Sequence, residues 1–322
     1  MKNLILTTSI FLLLKDNRTI SINSFENDKI NEIKTFTITE KSIYTTDQKE
    51  RIAILDTAKN DITIFDINSS NQIKLSIPFV IKPKTVLLNN DNIFVGGGMV
   101  GELLIQYHLK NEKWYQLEIP SEVVFWEKEI DDLVVNESFL IAIDNIVMPK
   151  YVLFYRLNSN GRLDLSHYKK LKHNGPYENI HQGRISETYI GLLSDTYSGY
   201  RGATNHITIY NNLDFSGSFA LSSNKNDKNY HTFTDFIIIN DKIVIASKEK
   251  GLGIFEIKET YFEKADKYSN RSSNREEDIS MIKYTKYENL VIIKLTLIPN
   301  TNKIVLTLDD KKGVIRHEII AI

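Results

Sequence analysis

Seven histidines and no cysteine bound the chemistry that this chain of 322 residues can perform. Without thiols there are no disulfides, no thiolate nucleophile, no cysteine-held zinc and no iron–sulfur cluster. No histidine stands at a ligand-like spacing from another. His173, His181, His206 and His231 are the ones a fold could gather, and three of them with a carboxylate would suit zinc. Nothing in their spacing requires it, so neither metal nor cofactor is expected. The alternating acids of a calcium loop are missing, and Asp309-Asp310-Lys311-Lys312 reads as a hairpin turn. No Gly-x-Ser-x-Gly signals a strained serine nucleophile. Gly96-Gly97-Gly98-Met99-Val100-Gly101 has the glycine density of a phosphate loop. No helix follows to hold an anion at its N-terminus, and a tight, side-chain-free loop between two strands explains it better. For acid–base work there remain Lys84, Asp131, His181 and Asp235, which fall at one position of a recurring unit.

That unit is a strand–turn–strand hairpin, and it occurs seven times. Its first strand opens at Ile10, Ile52, Ile93, Leu140, Ile190, Ile243 and Ile304, at separations of 42, 41, 47, 50, 53 and 61 residues. The partner strand follows near Ile20, Ile62, Leu103, Val152, Ile207, Leu252 and Val314, at offsets of 10, 10, 10, 12, 17, 9 and 10. Segments such as Ile62-Thr-Ile-Phe65 and Val152-Leu-Phe-Tyr155 carry the β-branched and aromatic residues of a mostly buried pleated surface. A third strand precedes many hairpins through a polar turn, as in Phe236-Ile-Ile-Ile-Asn240. A fourth trails, as in Trp114-Tyr-Gln-Leu-Glu-Ile119. Repeats of roughly 40–50 residues made of short strands predict an all-β, seven-bladed β-propeller of four-stranded blades. One such domain accounts for residues 1–322, with a polar surface excursion at about 263–278. Residues Lys84, Asp131, His181 and Asp235 would then ring the central channel. Channels of this kind are wet and polar in any case.

Repeat length and the four-strand unit resemble WD40-type and other seven-bladed propellers over essentially the whole chain. The resemblance is one of architecture. The Trp-Asp dipeptide and the Gly-His of WD40 repeats are absent, and the double glycine of kelch repeats occurs once, at Gly96-Gly97-Gly98. No functional residue is carried across. The resemblance implies a protein-interaction scaffold.

Propeller geometry turns loop length into a map, with strands a to d running outward from the channel. The a–b turns are minimal, whereas the opposite face is elaborated between units three and six. There the fifth unit inserts Asp195–Asn205 between strands b and c. The fourth carries Asp144–Lys150 at the same place, and long d–a connections run through 121–127, 171–178 and 222–232. These segments hold Trp126, His173, Tyr177, His181, Tyr197, Tyr200, Arg201, Tyr230 and His231, the residue types that dominate binding hot spots. Packing over blade edges is the alternative role for any one of them.

A net charge of −1 gives no global attraction to nucleic acid or an anionic membrane. Met1-Lys2 followed by the apolar stretch Leu4–Leu14 opens like a signal peptide. Yet Lys15-Asp16-Asn17-Arg18 follows without a small-residue cleavage pattern, and Ile10–Leu14 keeps register with the later strands. The segment is read as a strand and the compartment as the cytoplasm; cleavage would imply secretion and remove half of the first hairpin. The last unit lacks a fourth strand, so either Asn3–Thr7 completes it or it stays three-stranded. The expectation is a monomer that binds another macromolecule, a protein, without catalysis. A hydrolase or lyase centred on the channel is the rival reading, and a glycan-binding module the third.

Overall fold

The computed structural model describes the chain outside residues 1–9, 17, 70, 80, 99–102, 122, 124–128, 136–138, 145–150, 171–177, 199–201, 212–216, 225–231, 263–283, 288 and 313. At 178, 196–198, 202–204, 217 and 224 it describes the backbone alone.

Twenty-six strands among the described residues make seven antiparallel sheets, the blades of a propeller. Blade 1 is β1 (Ile10–Asp16), β2 (Thr19–Glu26) and β3 (Lys29–Thr37). Blade 2 is β4 (Ser42–Thr46), β5 (Arg51–Asp56), β6 (Asp61–Asp66) and β7 (Gln72–Ser76). Blade 3 is β8 (Lys82–Asn89), β9 (Asn92–Gly98), β10 (Leu104–His108) and β11 (Lys113–Gln116). Blade 4 is β12 (Ile130–Val135), β13 (Leu140–Asp144), β14 (Tyr151–Leu157) and β15 (Leu163–Lys170). Blade 5 is β16 (Glu178–Ile185), β17 (Tyr189–Ser198), β18 (Gly202–Asn211) and β19 (Gly217–Asn224). Blade 6 is β20 (Phe233–Ile239), β21 (Lys242–Ser247), β22 (Gly251–Glu256) and β23 (Tyr284–Thr285). Blade 7 is β24 (Val291–Leu297), β25 (Lys303–Asp309) and β26 (Ile315–Ala321). The tight turns fall where asparagine tolerates a left-handed backbone, at Asn90 (φ 49°) and Asn240 (φ 50°).

Each blade is buried on both faces by its neighbours, so its second strand reads as a continuous apolar run. In β1, Ile10 and Leu12 pack towards Ile20, Ile22 and Ile52 of blades 1 and 2. The alternate residues Phe11 and Leu13 pack towards Ile298 and Val305 of blade 7. That second contact closes the ring. His317 Nε2 lies 2.9 Å from the Leu14 carbonyl, and Lys303 pairs with Asp28 while sitting 5.3 Å from the Phe25 ring centroid. Among the described residues no strand is shared between blades 1 and 7, and blade 7 has three strands. The segment Asn3–Thr7 and the excursion at 263–278 lie outside the described residues.

Two local expectations are corrected. Gly96, Gly97 and Gly98 are the last residues of β9, paired with β8, and not a loop. A Cβ on Gly97 would meet the Lys82 carbonyl oxygen at 2.1 Å, and one on Gly96 the Ile130 side chain at 2.6 Å. Close approach of a neighbouring strand and blade requires glycine there. Outside residues 199–201, the insertion in blade 5 is likewise strand. It prolongs β17 and β18 into a ribbon paired without interruption from Asp195↔Asn205 to Ser198↔Gly202.

Candidate functional site

Around the channel, the innermost strands of blades 3 to 7 share a defect. Each skips one residue in its pairing, at Lys84, Asp131, His181, Thr234 and Ile293. A bulge leaves that residue unpaired and re-aims the side chains on either side. Three of the four predicted channel residues are therefore the bulged residues themselves. Asp235 is not; it stands one position further on, level with Asp132. Bulges change register without changing residue type, which is why the sequence set Asp235 beside Asp131.

Asp132 and Asp235 do the same job two blades apart, in blades 4 and 6. Asp132 Oδ2 accepts the Gly183 N–H of blade 5 at 2.5 Å, and Oδ1 accepts the Leu133 N–H at 2.9 Å. Asp235 Oδ2 accepts the Leu295 N–H of blade 7 at 2.8 Å, and Oδ1 accepts the Phe236 N–H at 2.7 Å. Each carboxylate bolts its own strand to the innermost strand of the next blade. Arg184 adds a cation to the second bolt, donating from Nη2 to Asp235 Oδ1 at 3.0 Å and from Nε to the Phe236 carbonyl at 3.1 Å. Burial pushes the Asp132 carboxyl up to about 6 against the pull of its backbone donors, and it raises Asp235 against the pull of Arg184.

The remaining predicted channel residues form two separate contacts. Lys84 is held by Asp131 Oδ1 at 3.1 Å and by the buried Glu129 carboxylate, joining blade 3 to blade 4. His181 Nε2 lies 2.5 Å from Asp195 Oδ1 in its own blade, about half exposed. This bond raises the imidazole pKa, with a smaller push from Asp131. The four residues thus make three pairs and not one converging ring. Asp132, Arg184, Glu129 and Asp195 went unnoticed in the sequence, where no motif marks them. Glu129, Asp132 and Arg184 each stand one to three residues from a bulge, and Asp195 pairs on the strand opposite one, but the sequence shows no bulge.

Below these contacts the channel opens into a cavity of about 380 Å³. Its wall is built from Phe11 and Leu12 of β1, Tyr44 to Thr46 of β4, Gln48, Leu87, Arg184, Ile185, Ile237, Ile238 and Lys294 to Leu297. Lys294 Nζ sits 5.2 Å from the centroid of the Tyr44 ring, reaching from blade 7 to blade 2 across the mouth of blade 1.

On the elaborated face, Trp126, His173, Tyr177, Tyr200, Arg201, Tyr230 and His231 lie outside the described residues, and of Tyr197 only the backbone is described, opposite Ala203 in the ribbon. His206, weighed as a metal ligand, is buried with Nδ1 2.8 Å from Ser222 Oγ. Among the described residues no three histidines or carboxylates are grouped to hold a metal ion. Among them, too, no helix is long and apolar enough to cross a membrane.

No protein-family model matches the sequence, and no curated protein matches it. Solved structures do match. The Cps50 (Swd1) β-propeller domain of Myceliophteria thermophila aligns with a TM-score of 0.59 at 9% identity, over 98% of this chain and 94% of that one. Sqt1 of Saccharomyces cerevisiae aligns at 0.56 and 10%, over 98% and 81%. The β-propeller domain of the Trilobed protease from Pyrococcus furiosus, described as having an open velcro topology, aligns at 0.52 and 12%, over 97% and 95%. At such identities the likeness is one of fold, and the fold is a seven-bladed β-propeller.

Proposed function

We propose that this propeller is a non-catalytic scaffold that binds another protein through the face carrying its b–c and d–a connections. The ribbon of blade 5 supplies the main contact. The observation that carries this reading is the paired extension from Asp195↔Asn205 to Ser198↔Gly202. Among the described side chains the apolar clusters of this blade reach Leu193 and Ile207, and the backbone pairing orders eight further residues beyond them. Ordering them costs conformational entropy that a partner surface offsets. The ribbon is also held in place, because Asn205 Oδ1 accepts the Phe233 N–H of blade 6 at 2.6 Å. In sequence, Tyr200 and Arg201 fall between the two strands of the ribbon and Tyr197 in its first strand, and Trp126, His173, Tyr177, Tyr230 and His231 fall in the d–a connections; we assign all of these to the contact. The pairing of Lys84, Asp131 and Asp235 within the framework favours this reading over acid–base catalysis in the channel.

Replacing Thr196–Thr204 by a short glycine linker keeps the Asn205 anchor and tests the reading. Intact and trimmed chains, used as paired baits in native extract, should melt alike. The partner retained by the intact chain should bind the trimmed one weaker by about 2 kcal/mol or more, the scale of an interface hot spot. Equal retention by both chains refutes the ribbon as the contact.

A further inference from the structure

The cavity in the channel combines three features that a merely wet channel does not need. First, its wall carries two cations. Lys294 and Arg184 both line it; burial, the largest cause, holds the Lys294 ammonium below its ordinary pKa, with the Asp235 carboxylate pulling against it and the guanidinium adding a smaller push. Second, the neighbouring carboxylate is already engaged. Asp235 spends Oδ1 on Arg184 and the Phe236 N–H, and Oδ2 on the Leu295 N–H. Lys294 has no hydrogen-bond acceptor or ion-pair partner among the described residues; its ammonium rests only over the Tyr44 ring. An ammonium carries three donors and a guanidinium five, and Arg184 uses three of its own, the third on the Gly183 carbonyl. Third, one part of the wall is apolar, with Phe11, Leu87, Ile185 and Ile237 lining the same space as the polar Thr45, Thr46 and Gln48. Thr296 Oγ1, also on this wall, is buried without a hydrogen-bond partner.

Unsatisfied donors of one sign beside apolar walls define the complement: an oxyanion on a small apolar body. We propose that the central channel binds a small organic monocarboxylate, its carboxylate held by Lys294 and Arg184 and its apolar part against Phe11, Leu87 and Ile237. An anion there supplies an acceptor that Lys294 lacks among the described residues. The site is independent of the outer face and of any protein bound to it.

Thermal melts of the full chain test this with acetate, benzoate, phenylacetate and indole-3-acetate, with benzamide as the neutral match of benzoate and with inorganic phosphate. At ten-fold saturation an aromatic carboxylate should raise the melting temperature by about 2 °C, and benzamide should not. Lys294→Met should abolish that shift and Lys294→Arg should retain it. If Lys294→Met fails to fold, Thr296→Val in its place should change the carboxylate affinity by three-fold or more, read by calorimetry. Absence of a shift from every carboxylate overturns the proposal, as does a shift that survives Lys294→Met. A shift from phosphate equal to that from the aromatic carboxylates also overturns it, since the apolar wall would then contribute nothing.

Discussion

A carboxylate one residue past a bulge reaches across to the next blade, and Asp132 and Asp235 both do so. Removing the charge at Asp235 leaves Arg184 facing a buried vacancy and frees the Leu295 and Phe236 N–H groups. Asp235→Ala should therefore lower unfolding stability by about 3 kcal/mol in urea titration, far more than loss of a surface pair. Asp132 makes a prediction about pH. Its folded-state pKa of about 6 lies above its ordinary value of 3.8. The folded chain thus holds this proton more tightly than the unfolded one. The contribution is fully present below the ordinary value and is lost as pH rises through about 6, amounting to on the order of 3 kcal/mol. Asp132→Asn should flatten stability across that window. His181 acts in a different one, since its pKa is raised by Asp195 above 6.5. Its support is full below 6.5 and disappears above the raised value, so Asp195→Asn should lower stability below 6.5 and leave it unchanged well above the raised value.

At the scale of the strand, glycine content in β9 sets how closely blades approach. Gly97→Ala drives a methyl into the Lys82 carbonyl, which belongs to backbone and cannot swing aside. Gly96→Ala meets only the Ile130 and Thr85 side chains, which can shift. Gly97→Ala should cost about 3 kcal/mol in denaturant melts and Gly96→Ala about 1 kcal/mol. Sequence reading found the seven hairpins because β-branched runs and Asn turns repeat with the chain. It mistook Gly96–Gly98 for a loop because glycine in a strand and glycine in a turn look alike without the neighbouring blade. The blade 5 ribbon was read as an insertion for a related reason: Asp195–Asn205 is polar, and pairing between polar residues leaves no alternation to detect. Bulges are equally silent, so Lys84, Asp131 and His181 were found while Asp132 and Arg184 were not. The cavity cation Lys294 was missed because it sits inside an apolar strand, Val291–Leu297.

For the molecule as a whole, consecutive blades are joined by chain, whereas blades 1 and 7 share no backbone ladder among the described residues and meet through side-chain packing and the His317 contact to the Leu14 carbonyl. Phe11→Ala or Val305→Ala should accordingly loosen one boundary of the ring. Each should cost about 3 kcal/mol and raise hydrogen exchange first in β1, β25 and β26, ahead of β9 or β21. A ring closed in this way has a mechanical direction. Tension applied between Ile10 and Ile322 would load the seam before any backbone ladder. Its apolar contacts and the Lys303–Asp28 pair would part at low force. Once the circle is open, the blades would follow in sequence from both ends, each giving its own length increment. Pulled instead between β9 and β21, with the seam unstressed, the same protein should resist until whole blades shear.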